Sequence, residues 1–125
     1  MNLVLDAAAL IAMERDDRRV AGLVELGRRS AANLVTTAPV VAQVWRDVAQ
    51  QARLARLLSA LDVRPADLDA AQRAGELLAK SGSRDVVDAL LALVATPGDQ
   101  ILTSDPLDLG RLMSAREVPA TVVTV

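Results

Sequence analysis

Short apolar runs that end in polar residues alternate along the chain with stretches in which apolar residues recur every three or four positions. Met1 to Leu5 predicts a buried strand, ended by Asp6 ahead of the helix-forming run Ala7 to Glu14. Between Asp16 and Ala31, the residues Val20, Leu23, Val24 and Leu26 fall at helical spacing among Arg18, Arg19, Arg28 and Arg29, which predicts an amphipathic surface helix. Leu34 to Thr36 predicts a second strand. Pro39 suits the first turn of a helix, and Val41, Val44, Val48, Ala52, Ala55 and Leu58 carry that helix to about Ala60. Leu61 to Val63 predicts a short third strand stopped by Pro65. A further helix opens at Asp67 and runs to the breaker Ser81-Gly82-Ser83, and a very apolar one spans Asp85 to Thr96. After the turn Pro97-Gly98, a strand over Gln100 to Thr103, a helix over Pro106 to Arg116 and a β-branched strand over Ala120 to Val125 complete the pattern.

Strands and helices that alternate with short connections predict an α/β fold, with a mainly parallel sheet covered on both faces. With 125 residues and neither linker nor internal repeat, residues 1–125 are expected to form a single domain. Ligands of such sheets bind beyond the carboxyl ends of the strands.

Composition narrows the chemistry available at that edge. Cysteine and histidine are absent, which removes thiolate nucleophiles, a Ser-His-Asp triad, a histidine base and the usual zinc ligands. Lys80 is the only lysine, so Schiff-base chemistry and a P-loop are poorly served. Carboxylate chemistry is left. The lack of cysteine suits a reducing, cytoplasmic setting. No uninterrupted apolar stretch is longer than Ala89 to Ala95, far below the roughly 20 residues of a spanning helix. The amino end has no basic lead and is interrupted by Asp6, which argues against a signal peptide. A net charge of −2 gives no global attraction to nucleic acid, so any such contact has to be local.

The acids are placed unevenly. Asp6 and Asp105 stand where strands give way to helices, and Asp88 lies in the first turn of the most apolar helix. Each position also suits a helix cap: Asp85-x-x-Asp88 is a capping-box variant, and Asp105-Pro106-x-Asp108 reads the same way. Their combination points further. Asp85, Asp88, Asp99, Asp105 and Asp108 follow one another without an intervening Lys or Arg, whereas Gln43 to Arg64 holds Arg46, Arg53, Arg56 and Arg64. Carboxylates that converge without a cation need protons or a metal to neutralise them, and an all-oxygen site takes a hard ion such as Mg²⁺ or Mn²⁺.

Leu3-Val4-Leu5-Asp6, Asp88-Ala89-Leu90-Leu91-Ala92-Leu93-Val94-Ala95 and Leu102-Thr103-Ser104-Asp105, in this order and spacing, resemble the PIN domains of VapC-type toxin ribonucleases. The resemblance spans essentially the whole chain. It implies a five-stranded parallel sheet of order 3-2-1-4-5 flanked by helices, with Asp6 and Asp105 side by side. It implies also an Mg²⁺- or Mn²⁺-dependent endoribonuclease, a homodimer, and a small antitoxin partner. On this resemblance Asp6, Asp88 and Asp105 hold the metal, and RNA products carry a 5′-phosphate and a 3′-hydroxyl. The family's early helical Glu is replaced here by Gln43, whose amide can ligate but brings no charge. Asp85, or Asp47 four residues after Gln43, is placed to supply it. Gln43 also reads simply as a solvated polar residue.

Arg46 and Arg84 are the basic residues nearest these positions in sequence and are candidates for RNA phosphate contacts. Trp45, the only aromatic residue, is spaced for a core or dimer contact rather than for stacking on a base. Haloacid-dehalogenase phosphatases, receiver domains and dinucleotide-binding folds are disfavoured: Asp6 is followed by Ala7-Ala8, Val63-Arg64-Pro65 offers no phosphoacceptor, and no glycine-rich turn follows the first strand. The rival of another class is a PIN fold with a weakened site that acts as a binding or interaction module.

Overall fold

A computed structural model describes residues 1–125. Its elements are β1 (Asn2–Leu5), α1 (Ala7–Glu14), α2 (Arg18–Arg29), β2 (Asn33–Thr37), α3 (Ala38–Val44), α4 (Ala52–Ser59), β3 (Asp62–Arg64), α5 (Leu68–Ser81), α6 (Val86–Val94), β4 (Gln100–Thr103), α7 (Pro106–Arg116) and β5 (Thr121–Thr124). The five strands form one sheet of order β3-β2-β1-β4-β5, and every pairing is parallel. This strand order, with helices flanking the sheet, is the α/β arrangement that the resemblance implies.

The central strand is buried on both faces, as its unbroken Leu3-Val4-Leu5 run requires. Val4 is in register with Val35 on one side and Ile101 on the other, and Leu5 with Leu102. One further ladder bond, from Asp6 N–H to Leu102 O at 3.1 Å, fixes the point where β1 becomes α1. Thr36, fully buried on β2, donates its hydroxyl to Leu5 O at 2.7 Å, so this core polar group is satisfied.

The continuous helix expected from Pro39 to about Ala60 is instead two short helices. The chain leaves helical geometry at Trp45 (ψ 129°) and resumes it only at Ala52. Gln51 explains the break. Its buried amide oxygen accepts from the N–H groups of Arg46 (2.7 Å) and Asp47 (2.9 Å), and its amide nitrogen donates to Val44 O (2.9 Å) and Glu14 Oε2 (3.2 Å). One side chain thus closes α3, shapes the loop and ties both to the end of α1. The apolar spacing that suggested continuity ran through Val48, which is 73% exposed.

Asp99 also departs from expectation. It lies at the amino end of β4, on the sheet edge opposite the other acids, and is fully buried. It accepts from Asn2 N–H (2.7 Å) and Nδ2 (3.0 Å) and from Thr96 N–H (2.7 Å) and Oγ1 (2.9 Å). Burial alone would raise its pKa, but these four donors together hold it below the usual carboxylate range. Its role is to pin β1 beside β4. Arg116 similarly donates to Ala92 O (2.6 Å) and Ala95 O (2.7 Å), fastening α7 to the end of α6.

Removal of the Gln51 amide leaves Val44 O and two loop N–H groups without partners. Gln51→Ala is therefore expected to cost about 2–3 kcal/mol, lowering the thermal midpoint by roughly 10 °C in a calorimetric scan. An unchanged midpoint would mean that water replaces the amide at no cost.

Candidate active site

The sheet order brings the carboxyl ends of β1 and β4 together, and the acids that follow them meet there. Asp6 is 7% exposed. One of its oxygens accepts from Ala9 N–H at 3.0 Å, capping α1, and the other from Ser104 N–H at 3.1 Å, just past β4. Two backbone donors from different elements thus fix its orientation. Asp105 caps α7 through a 3.2 Å bond from Asp108 N–H, and its own N–H donates to Thr103 Oγ1 at 2.9 Å. Asp85 caps α6 through a 2.9 Å bond from Asp88 N–H.

A cavity of about 220 Å³ is lined by Asp6, Gln43, Asp85, Asp88 and Asp105, together with Ala7, Ala8, Val40, Val87 and Ser104. Capping and cavity lining therefore coexist. Each carboxylate oxygen has two lone pairs, so an oxygen engaged in a cap can still accept from or ligate a guest. No Lys or Arg lines this cavity.

Asp108 joins the cluster from the first turn of α7. Oxygens of Asp85, Asp88 and Asp108 lie within 4.8 Å of one another, and Ser83 Oγ donates to Asp108 Oδ2 at 3.1 Å. Sequence reading counted Asp108 in the acidic run and as part of a cap, but not among the site residues. The signal was the repeated spacing, because Asp85-x-x-Asp88 and Asp105-x-x-Asp108 are the same cap geometry on two neighbouring helix starts. Ligands of one octahedral ion with bonds of about 2.1 Å sit roughly 3 to 4 Å apart, so modest closure of these carboxylates would suffice. The donor set is all oxygen, as a hard divalent cation requires.

Asp88 carries the electrostatic strain. Desolvation comes first, then a hydrogen bond with Asp108, then the charges of Asp85, Asp108 and Asp105; together they push its pKa up to about 8. In the absence of a cation the half-buried Asp88 is protonated at neutral pH.

The remaining candidates divide. Gln43 is exposed and sits on the cavity rim. Arg46 does not line the cavity: its guanidinium turns back to Ala42 O (2.9 Å) and Trp45 O (2.7 Å) at the end of α3. Asp47 is not one turn beyond Gln43, because α3 ends at Val44; it lies in the loop, bonded to Ala49 N–H at 3.0 Å. Arg84 is exposed and lines a neighbouring cavity, with Asp85, Asp105, Asp108 and Arg111. Trp45 is half-buried against the core.

No protein-family model and no curated protein matches the chain. Among solved structures, it is similar to a chain in the crystal structure of VapBC2 from Rickettsia felis bound to a DNA fragment from their promoter. The TM-score is 0.70 at 14% sequence identity, over 100% of this chain and 99% of that one. At that identity the likeness is one of fold.

The pKa of Asp88 sets a pH dependence. The folded state keeps this proton to about pH 8, whereas the unfolded chain releases it near 3.8, so the contribution to stability is full below about pH 3.8 and is lost as pH rises to about 8. Asp88→Asn, which keeps a donor toward Asp108, is expected to stabilise the metal-free protein at pH 8 by roughly 2 kcal/mol after solvent screening. Denaturant unfolding in EDTA at pH 5 and pH 8 measures this; equal effects at both values would refute it.

Proposed function

We propose that this chain is a metal-dependent endoribonuclease of the VapC toxin kind, acting in the cytoplasm. The observation that carries the reading is the cavity at the carboxyl edge of the sheet, where Asp6, Asp85, Asp88 and Asp105 meet without a cation. The shared fold with a VapBC2 chain supports it.

Asp6, Asp88 and Asp105, with Asp85 in support, would hold Mg²⁺ or Mn²⁺, and Asp108 extends the same carboxylate set. A bound ion supplies positive charge against the phosphodiester and makes water acidic enough to attack at neutral pH. The chain's own groups do the positioning. Asp6 is immobilised by Ala9 and Ser104, while Asp85 and Asp105 each use one oxygen on a cap and keep the other without a protein donor. Asp88 must give up its proton to act as a ligand, so divalent-ion affinity rises with pH up to about 8. Gln43 offers an amide oxygen at the rim in place of a charge, and the weakened site favours Mn²⁺, the better binder at most such sites. Water as nucleophile leaves a 5′-phosphate and a 3′-hydroxyl.

A small antitoxin partner and a homodimer complete the reading. Leu26 on α2, 64% accessible, lines an open cavity with Met1, Leu23 and Val123, and this is the apolar feature that a second copy would cover. The dimer would use α2, the long helix that precedes β2 in the chain, rather than the seven-residue α3 that follows it. Light scattering at high micromolar concentration is expected to give the mass of two chains; the mass of one would count against the dimer.

Cleavage of a structured RNA tests the activity. Wild type is expected to cut slowly, faster in Mn²⁺ than in Mg²⁺. Asp6→Asn or Asp88→Asn is expected to lower the rate about 100-fold or more, and Gln43→Glu to raise it several-fold. Efficient Mg²⁺ cleavage that Gln43→Glu leaves unchanged would give the role of the missing charge to Asp85. No cleavage by any variant in either metal would leave the binding-module reading in its place.

A further inference from the structure

Beside the carboxylate cavity lies a second one of about 340 Å³, lined by Arg84, Asp85, Asp105, Leu107, Asp108 and Arg111. Asp85 and Asp105 line both, so the two cavities are contiguous. Arg84 immediately precedes the cap of α6, and Arg111 stands three residues after Asp108, one turn further along α7. The Ser83–Asp108 hydrogen bond joins the two elements, so the arginines are held on one rim.

Both arginines are exposed and uncommitted. The ion pairs of the structure are Arg29–Glu25 and Arg64–Asp62, and neither Arg84 nor Arg111 takes part in one, although three carboxylates share their cavity. Nor does either guanidinium donate to a backbone carbonyl, in contrast to Arg19, Arg46, Arg53 and Arg116. Two free planar donors that converge beside a carboxylate site fit an oxyanion with several acceptor oxygens, which guanidinium grips bidentately.

Resting on the ribonuclease reading, we propose that Arg84 and Arg111 form a phosphate subsite that grips the RNA backbone next to the scissile bond. The strand then runs from the carboxylate cavity across the starts of α6 and α7. Arg111 had no sequence signal of its own, because only the packing of α7 beside Arg84 pairs the two. The subsite positions substrate and takes no part in bond cleavage. Its loss therefore raises KM and leaves kcat nearly unchanged.

The test is binding of a fluorescein-labelled single-stranded RNA, in Ca²⁺ to separate binding from cleavage, by wild type, Arg84→Ala, Arg111→Ala and the double variant. Each single substitution is expected to weaken binding about 10-fold and to reduce the slope of log affinity against log salt by about 0.7 per lost contact. In Mn²⁺, KM should rise in step while kcat changes less than about 3-fold. Both side chains are solvated, so thermal midpoints should hold and exclude misfolding. If the double variant binds RNA as wild type does while wild type still cuts it, the subsite is refuted and the ribonuclease reading stands. Unchanged RNA binding with tighter Mn²⁺ binding by calorimetry would make the arginines counter-charges for the acids. A wild type that neither binds nor cuts RNA would overturn both proposals.

Discussion

Carboxylates gathered in one cavity repel one another, and the fold offsets that repulsion with the starts of three helices. α1, α6 and α7 begin at the same sheet edge, capped by Asp6, Asp85 and Asp105. Each contributes N–H groups and the positive end of its dipole to the acid that caps it. The offset is incomplete. Asp88, inside the first turn of α6 rather than at a cap, has its pKa raised by burial first, then by its hydrogen bond with Asp108 and by the neighbouring charges. A carboxyl group that holds its proton beside three carboxylates is the result.

The sheet makes this gathering possible. β1 and β4 are adjacent although nearly a hundred residues separate them, and their register sets Leu5 beside Leu102 one residue before Asp6. Asp99 and Asn2 lock the same two strands at the other end. A one-residue slip between β1 and β4 would break the Asp6–Ser104 bond and carry Asp105 away from Asp6, so core packing at one edge holds the geometry of the other.

Local signals carried most of the architecture. The runs Leu3-Val4-Leu5 and Ile101-Leu102, each ended by a polar residue, reveal buried strands, and Asp67, Asp85 and Asp105 reveal helix starts because caps are local chemistry. Gln51 was invisible, since its four partners span α1, α3 and a loop, and no periodicity encodes a tertiary hydrogen bond. Asp99 stands in the same acidic run as Asp85, Asp88, Asp105 and Asp108, and only the fold separates it from them, because sequence counts charges without telling which end of a strand they occupy. Asp108 was legible as a cap, but its approach to Asp85 and Asp88 depends on the packing of α7 against α6.

Trp45 has a consequence of another kind. It is the only aromatic side chain in the protein, stands two residues from Gln43, and packs half-buried against the core where α3 gives way to the loop held by Gln51. With no tyrosine or second tryptophan to blend with it, its emission reports one location alone. The molecule thus carries its own optical gauge at the carboxyl end of α3, the helix that brings Gln43 to the carboxylate cavity, and movement of α3 can be followed in unlabelled protein.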